Sequence, residues 1–127
     1  MITRIRTSKE SKERMESLNR VLHFSSNAVL LRYALARSIS NGINVLEDPE
    51  SKQSDSAGFE IPRSTLFGEY EAVYKYAMGI NKNDPDEKFF PTLTAAHLEK
   101  GLKLLERDYK LSGNKERFLK NLINKYC

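Results

Sequence analysis

The chain of 127 residues contains no tryptophan and a single cysteine, Cys127, which is its last residue. One thiol cannot form an internal disulfide, and a zinc or iron–sulfur site needs several cysteine or histidine ligands. No apolar run is long enough to span a bilayer, and none follows the charged N-terminus as it would in a signal peptide. We therefore expect a cytoplasmic protein that holds no metal and no cofactor.

The charge of the chain is unevenly distributed, although the net charge is only +4. Residues 1–40 carry eight Lys/Arg against three Glu, residues 41–91 carry five against ten Asp/Glu, and residues 92–127 carry eight against four. The balances are +5, −5 and +4. The two ends are expected to form a basic face that attracts a polyanion, with the acidic middle turned elsewhere. Ordinary i,i+4 pairing on a solvated helix is the alternative.

The length suits one mainly α-helical domain, and the first helix is predicted near the N-terminus. In "TSKE", Thr7 and Glu10 have the spacing of a capping box, in which two side chains satisfy free amide groups at a helix start. The helix should begin near Ser8 and end near His23. Its apolar stripe consists of Met15, Leu18, Val21 and Leu22.

The second predicted helix is apolar over most of its circumference as far as Ile39, and its candidate N-terminal caps are Ser25, Ser26 and Asn27. A helix of this kind is buried on all sides. Because the narrow first helix cannot cover it, either the C-terminal half or a second copy of the chain must pack against it.

The rest of the chain is predicted to be a long loop over residues 41–65 and a helical part over residues 66–127. In "FGEYEAVYKYAMGI" the spacing predicts one buried face, which favours core tyrosines over tyrosines that stack on bases: Tyr70, Val73, Tyr74 and Ala77. A helix over residues 92–110 should bury Leu98, Leu102, Leu105 and Tyr109. A last helix, capped by Asn114, should bury Phe118, Leu119, Leu122, Ile123 and Tyr126.

The first residues alternate as a strand does, and a strand followed by two helices is the order of a Met-repressor-like, or ribbon-helix-helix, unit. In that architecture two chains pair their strands, so Ile5 would point inward while Arg4 and Arg6 enter the DNA major groove. The start of the second helix would face a phosphate. The candidate DNA-binding residues are Arg4, Arg6, Lys9, Lys12, Ser25, Ser26 and Asn27. A frayed N-terminus before two helices would give a similar sequence.

Three segments of the chain resemble the DndE family of the bacterial DNA sulfur-modification (phosphorothioation) system: "SSNAVLLRYALARSI", "TLFGEYEAVYKYAM" and "PTLTAAHLEKGLKLL". Leu66-Phe67-Gly68 and His97 through Gly101 carry the resemblance by their order and separation. It implies a small accessory protein of the Met-repressor-like helical class that forms homo-oligomers, namely tetramers, and binds DNA with a preference for nicked duplex. It also implies partners in the sulfur-modification machinery, and it assigns no DNA contact to any residue.

An enzyme is not expected. Sulfur insertion needs a persulfide cysteine, an ATP site or an iron–sulfur cluster, and the chain has one terminal cysteine and no glycine-rich phosphate loop. Neither His23 nor His97 has a cysteine nearby in sequence, and the serines that follow His23, Ser25 and Ser26, are candidate helix caps. The acidic run at Asp84, Asp86 and Glu87 matches no calcium-loop template and is typical of a solvated turn.

Three hypotheses of function are therefore open. The first is a DNA-binding accessory subunit of the modification machinery. The second is a ribbon-helix-helix repressor, which should prefer its operator to random DNA by about a thousandfold. The third is a scaffold that binds protein partners through the acidic middle segment.

Overall fold

Helices make up most of the structure, as predicted. The computed structural model describes the backbone of residues 2–42 and 44–126 and the side chains of these residues up to position 123. Cys127 and the side chain of Tyr126 lie outside the described residues. In chain order the elements are β1 (Arg4–Arg6), α1 (Lys9–Leu22), α2 (Asn27–Ser40), β2 (Glu60–Pro62), α3 (Arg63–Phe67), α4 (Glu71–Ala77), α5 (Thr94–Ser112) and α6 (Lys115–Tyr126).

Helix α5 lies at the centre of the fold and packs most extensively against α2. The two helices touch through their backbones, because a Cβ atom on Gly101 would lie 1.9 Å from the backbone oxygen of Ala34. Only glycine permits this contact. Beyond it, Leu98, Leu102 and Leu105 are buried, as their spacing predicted.

Helix α2 is buried along most of its length. Leu30, Leu31, Ala34 and Leu35 are all inaccessible to solvent, as expected, but Val29, Tyr33 and Ala36 are only half-buried, so the helix is not buried on all sides. The C-terminal half of the same chain supplies the cover through α5.

Helix α1 is capped by Ser8, whose side chain accepts a hydrogen bond from the Ser11 N–H at 3.1 Å. The capping box predicted for Thr7 and Glu10 is therefore wrong. The carboxylate that accepts from the Ser8 N–H belongs to Glu99 of α5, at 3.2 Å, and it also accepts from the hydroxyls of Ser8 and Ser11 at 2.6 and 2.8 Å. A residue 91 positions away thus replaces the local partner.

The predicted N-terminal strand is present, with Ile5 pointing into the core and Arg4 and Arg6 exposed. Its partner is β2 of the same chain, in an antiparallel register that places Ile5 opposite Ile61 and Arg6 opposite Glu60. The ribbon therefore forms within one chain, and the ribbon-helix-helix resemblance is not confirmed.

The segment of residues 41–65 is more regular than the predicted loop. It contains two short 3-10 turns, Val45–Glu47 and Pro49–Ser51, and then β2. Asn44 and Asp48 cap these turns through their side chains, so local Asx geometry organises the segment.

The buried face predicted for residues 70–77 is wrong. Tyr70 is 49% and Val73 63% exposed, Ala77 is exposed, and α4 contains no buried residue. The chain leaves helical geometry at Gly68, where φ is +54°, so the periodicity does not continue from the buried Phe67 into α4. Of the four residues predicted to be buried, only Tyr74 is half-buried, with its ring centre 5.5 Å from that of Phe67.

Helix α6 begins after Asn114, whose side chain accepts from the Arg117 N–H at 2.8 Å. Phe118 and Leu122 are buried as predicted, whereas Ile123 is 55% exposed. Among the described residues, no helix has the length and apolarity needed to cross a membrane.

Candidate nucleic-acid interface

The outward face of the ribbon carries Arg4, Arg6 and Glu60. Successive side chains of a strand point to opposite faces, so the burial of Ile5 places both arginines on the solvent side. Glu60 Oε2 lies 3.8 Å from Arg4 Nη1 and 3.6 Å from Arg6 Nη2. Arg6 Nη1 also donates to the Gly58 carbonyl at 3.3 Å. The two arginines can reach an anion, but one carboxylate already lies between them.

The first turn of α1 presents Lys9, which is exposed, and Lys12, which is half-buried. Asp55 occupies the helix start, because its carboxylate accepts from the Lys9 N–H at 2.9 Å. The N–H groups of Ala57 and Lys9 hold the pKa of Asp55 below its usual value. The solvent face of α1 also exposes Glu10, Glu13 and Glu16, so it is of mixed charge.

The start of α2 carries the other three candidates. Ser25 and Ser26 are exposed, and the Ser26 side chain accepts from the Val29 N–H at 3.2 Å. Asn27 is half-buried, with its Oδ1 accepting from Asn19 Nδ2 at 2.9 Å.

The structure does not bring the seven candidates into one site. Helix α1 has 14 residues and is therefore about 21 Å long. The arginines of β1 lie at its N-terminal end, and the serines that precede α2 lie at its C-terminal end. They form two groups that only an extended ligand such as a duplex could contact together.

The acidic middle segment is not turned away from the basic residues, which corrects the prediction from charge distribution. Asp48 and Glu50 both contact the buried Lys100 of α5, and Glu50 also pairs with Arg107. Lys103 Nζ donates to the Glu50 carbonyl at 2.7 Å. Because these cations are paired within the chain, α5 offers little basic surface.

Helix α6 provides cations that the candidate set did not include. Arg117 and Lys120 are exposed and Lys115 is half-buried. Among the side chains that the structure describes, none of the three forms an ion pair. The signal in the sequence was the +4 balance of residues 92–127.

An apolar groove of about 380 Å³ separates α2 from the turn before α4 and α4 itself. We call it the tyrosine groove, and it is lined by Val29, Arg32, Tyr33, Ala36, Tyr70, Val73 and Tyr74. The Arg32 guanidinium carbon lies 5.9 Å from the centre of the Tyr70 ring. Tyr76, also on α4, is 88% exposed. The sequence pattern had assigned the tyrosines that line the groove to the core.

His97, Asp84 and Asp86 have structural partners. His97 is buried, with its Nδ1 2.7 Å from Ser38 Oγ, and burial lowers its pKa to about 4. Asp86 accepts two hydrogen bonds from Arg63, both at 2.8 Å, and Asp84 pairs with Lys88 at 3.2 Å. Within the described part of the chain, no cluster of three metal-ligating side chains occurs.

Comparison with known proteins adds to this geometry. The family model described as DNA sulphur modification protein DndE matches residues 4–113. A crystal structure of DndE from Escherichia coli B7A, described as involved in DNA phosphorothioation modification, is similar in fold, with a TM-score of 0.62 at 18% sequence identity. The match covers 80% of this chain and 96% of the Escherichia coli chain. No curated protein sequence matches.

Proposed function

The chain belongs to the DndE family of DNA sulphur modification proteins, and from this membership we propose that it is a DNA-binding accessory protein of the phosphorothioation system. It acts by binding rather than by catalysis, because sulfur transfer needs a thiolate, nucleotide or cluster site that its sequence does not offer. Its partners are DNA and the other proteins of that system.

The exposed arginine pair of the ribbon is the observation that carries this proposal. Arg4 and Arg6 project side by side from a pair of antiparallel strands, and guanidinium groups bind phosphate oxygens well. Lys9 extends this basic surface at the start of α1, and Arg117 and Lys120 of α6 supply a second basic area.

Binding through phosphates makes the affinity insensitive to base sequence and strongly dependent on salt. A nick gives the duplex a flexible joint, so its two arms can bend onto a broad basic surface at a lower deformation energy. We therefore propose a preference for nicked over intact duplex.

A homo-oligomer, proposed here as a tetramer, is supported by the tyrosine groove. Exposed aromatic side chains such as Tyr70 and Tyr76 are enriched in protein interfaces. A second copy that covers this groove would bury the apolar face of α4. Symmetric copies would also present several basic surfaces to one duplex, which raises the avidity.

The interface is tested with Val73→Asp, which places a charge on the exposed apolar face of α4. We expect a smaller particle by light scattering coupled to size-exclusion chromatography, with unchanged helix content. Val21→Asp is the matched control, because Val21 is also an exposed valine (39%) but lies on α1. An assembly that persists in Val73→Asp and not in Val21→Asp would place the interface on α1 instead.

DNA binding is tested by fluorescence anisotropy with nicked, intact and single-stranded DNA of several unrelated sequences. Each DNA is measured at about 50 and about 200 mM salt, a range over which counterion release changes the affinity strongly. The double variant Arg4→Ala/Arg6→Ala should weaken binding to every sequence and flatten the salt dependence. The exposed loop lysines provide a matched control, Lys52→Ala/Lys82→Ala. Equal losses in the two double variants would remove the ribbon from the interface.

The same measurement tests the other two functions. The intrachain ribbon still carries two arginines outward, and a two-stranded ribbon fits the major groove, so a repressor would select one sequence with a shallow salt slope. A scaffold would bind little DNA at either salt concentration. Either result would reject the accessory function.

A further inference from the structure

One carboxylate oxygen of Glu60 contacts both arginines of the ribbon. Glu60 stands opposite Arg6 in the register, and Pro62 stands opposite Arg4. Because Ile5 and Ile61 point into the core, Arg4, Arg6 and Glu60 share the outward face. Glu60 Oε2 therefore lies between the two guanidinium groups, 3.8 and 3.6 Å away.

These contacts are long and open to water. Charge-assisted N–H···O bonds are about 2.7–2.9 Å long, and surface ion pairs contribute little to stability. The side chains of Arg4, Arg6 and Glu60 are 59%, 47% and 42% exposed. The Glu60 contacts are thus easily exchanged for contacts with another anion.

The ion pairs of Arg63 show what a structural pair looks like in the same molecule. Its guanidinium bonds to Glu71 at 2.7 Å and to Asp86 at 2.8 Å, with its side chain only 11% exposed. Hydrogen bonds to these partners raise the pKa of Arg63, and the bond to Asp86 has the largest effect. Neither the short distances nor the burial is found around Glu60.

Space for a second anion lies beside the ribbon. A groove of about 270 Å³ is lined by residues that include Arg4 and Arg6 of β1 and the polar side chains of Gln53, Ser56 and Thr92. The two guanidinium groups and these hydroxyls are all hydrogen-bond donors to phosphate oxygens.

We propose that Glu60 is an internal counterion that a DNA phosphate displaces from Arg4 and Arg6, and that it limits the affinity of this surface for DNA. The inference rests on the proposed function and adds a determinant of affinity within the same surface. Glu60 leaves the three-residue group with a net charge of +1, which is sufficient to attract a phosphate and insufficient to hold it tightly at high salt.

The test is Glu60→Gln, measured by anisotropy on nicked duplex over a range of salt concentrations. We expect the affinity at low salt to rise by about three- to tenfold, because the phosphate no longer competes with a carboxylate. The salt slope should also become steeper, by up to roughly one unit. Glu69→Gln changes the charge equally at an exposed position in the turn before α4 and is the matched control.

A double-mutant cycle isolates the mechanism. Glu60→Gln introduced into Arg4→Ala/Arg6→Ala should leave the affinity at the level of that double variant, because the counterion has nothing left to neutralise. A gain of the same size in both backgrounds would overturn the proposal, since it would come from overall charge. Circular dichroism and thermal unfolding establish that each variant is folded.

Each other outcome is decisive as well. If Glu60→Gln binds like the wild type or like Glu69→Gln, the inference is wrong while the proposed function stands. If Glu60→Gln binds more weakly, Glu60 itself contacts the DNA, as a carboxylate does when it accepts from cytosine N4, and the inference is again wrong. If the wild type binds no DNA, the proposed function and the inference fail together.

Discussion

The burial of His97 predicts how the stability of the protein changes with pH. The imidazole is 7% exposed, and its Nδ1 lies 2.7 Å from Ser38 Oγ. Burial disfavours the charged form and lowers the pKa from 6.5 to about 4. In the unfolded chain the imidazole is solvated and keeps the ordinary value.

The direction of this pH dependence follows from proton binding. Between pH 6.5 and pH 4 the unfolded chain binds more protons at this site than the folded one, so the free energy of unfolding decreases as the pH falls. The stabilisation is fully present above the unfolded pKa and is lost progressively toward the folded pKa. The shift corresponds to about 3 kcal/mol in total, of which about 2 kcal/mol is lost between about pH 7 and pH 5.

Urea unfolding at several pH values measures this loss when the wild type is compared with His97→Asn. An asparagine amide can occupy the Nδ1 position and bond to Ser38 but does not titrate. Protonation of carboxylates such as Asp86, whose pKa is lowered mainly by the hydrogen bond from Arg63, also lowers the free energy of unfolding in acid. This contribution is the same in both proteins. The difference between the two curves therefore reports His97 alone.

The control is His23→Asn, because His23 is exposed in the left-handed position after α1, with φ of 55°, which asparagine also accepts. Because this variant keeps His97, it should keep the loss of stability that His97 causes. Curves for the wild type and His97→Asn that stay parallel from pH 7 to pH 5, within about 0.5 kcal/mol, would refute the assignment of a buried neutral imidazole.

Three further changes test the core. Gly101→Ala would force α2 and α5 apart at Ala34 and should lower the free energy of unfolding by about 3 kcal/mol or more, measured by urea unfolding. Glu99→Ala leaves the hydroxyls of Ser8 and Ser11 without their acceptor and should lower it by about 2–4 kcal/mol, whereas Glu99→Gln, which keeps an acceptor oxygen, should lower it less. Leu31→Asp places a charge at a position with 0% exposure and should leave no soluble folded protein on expression.

The four long helices and the first strand could be predicted from the sequence because their signals are local. Apolar residues three or four positions apart mark α1, α2, α5 and α6, and serine or asparagine side chains cap three of them within a few residues. The alternation around Ile5 marks β1 in the same way. These patterns depend only on backbone geometry, so no knowledge of the distant chain was needed.

The candidate site was predicted only in part. Arg4 and Arg6 are exposed on one face, as their alternation indicated. Glu60, which lies between them, was missed because β2 is three residues long and sits in a segment with loop composition. Nothing in the local sequence says which strand pairs with β1.

What the sequence determined by itself is therefore the position of the helices, which of them is apolar all round, and the family, through the order and separation of its motifs. The tertiary structure decided which surfaces are covered. It left the apolar face of α4 exposed, brought Glu99 to the start of α1, and laid the acidic segment across the cations of α5. The physical reason is that periodicity identifies an apolar or charged face, whereas the contacts of Glu99 with Ser8 and of Glu50 with Lys100 join residues 91 and 50 positions apart that only the folded chain brings near.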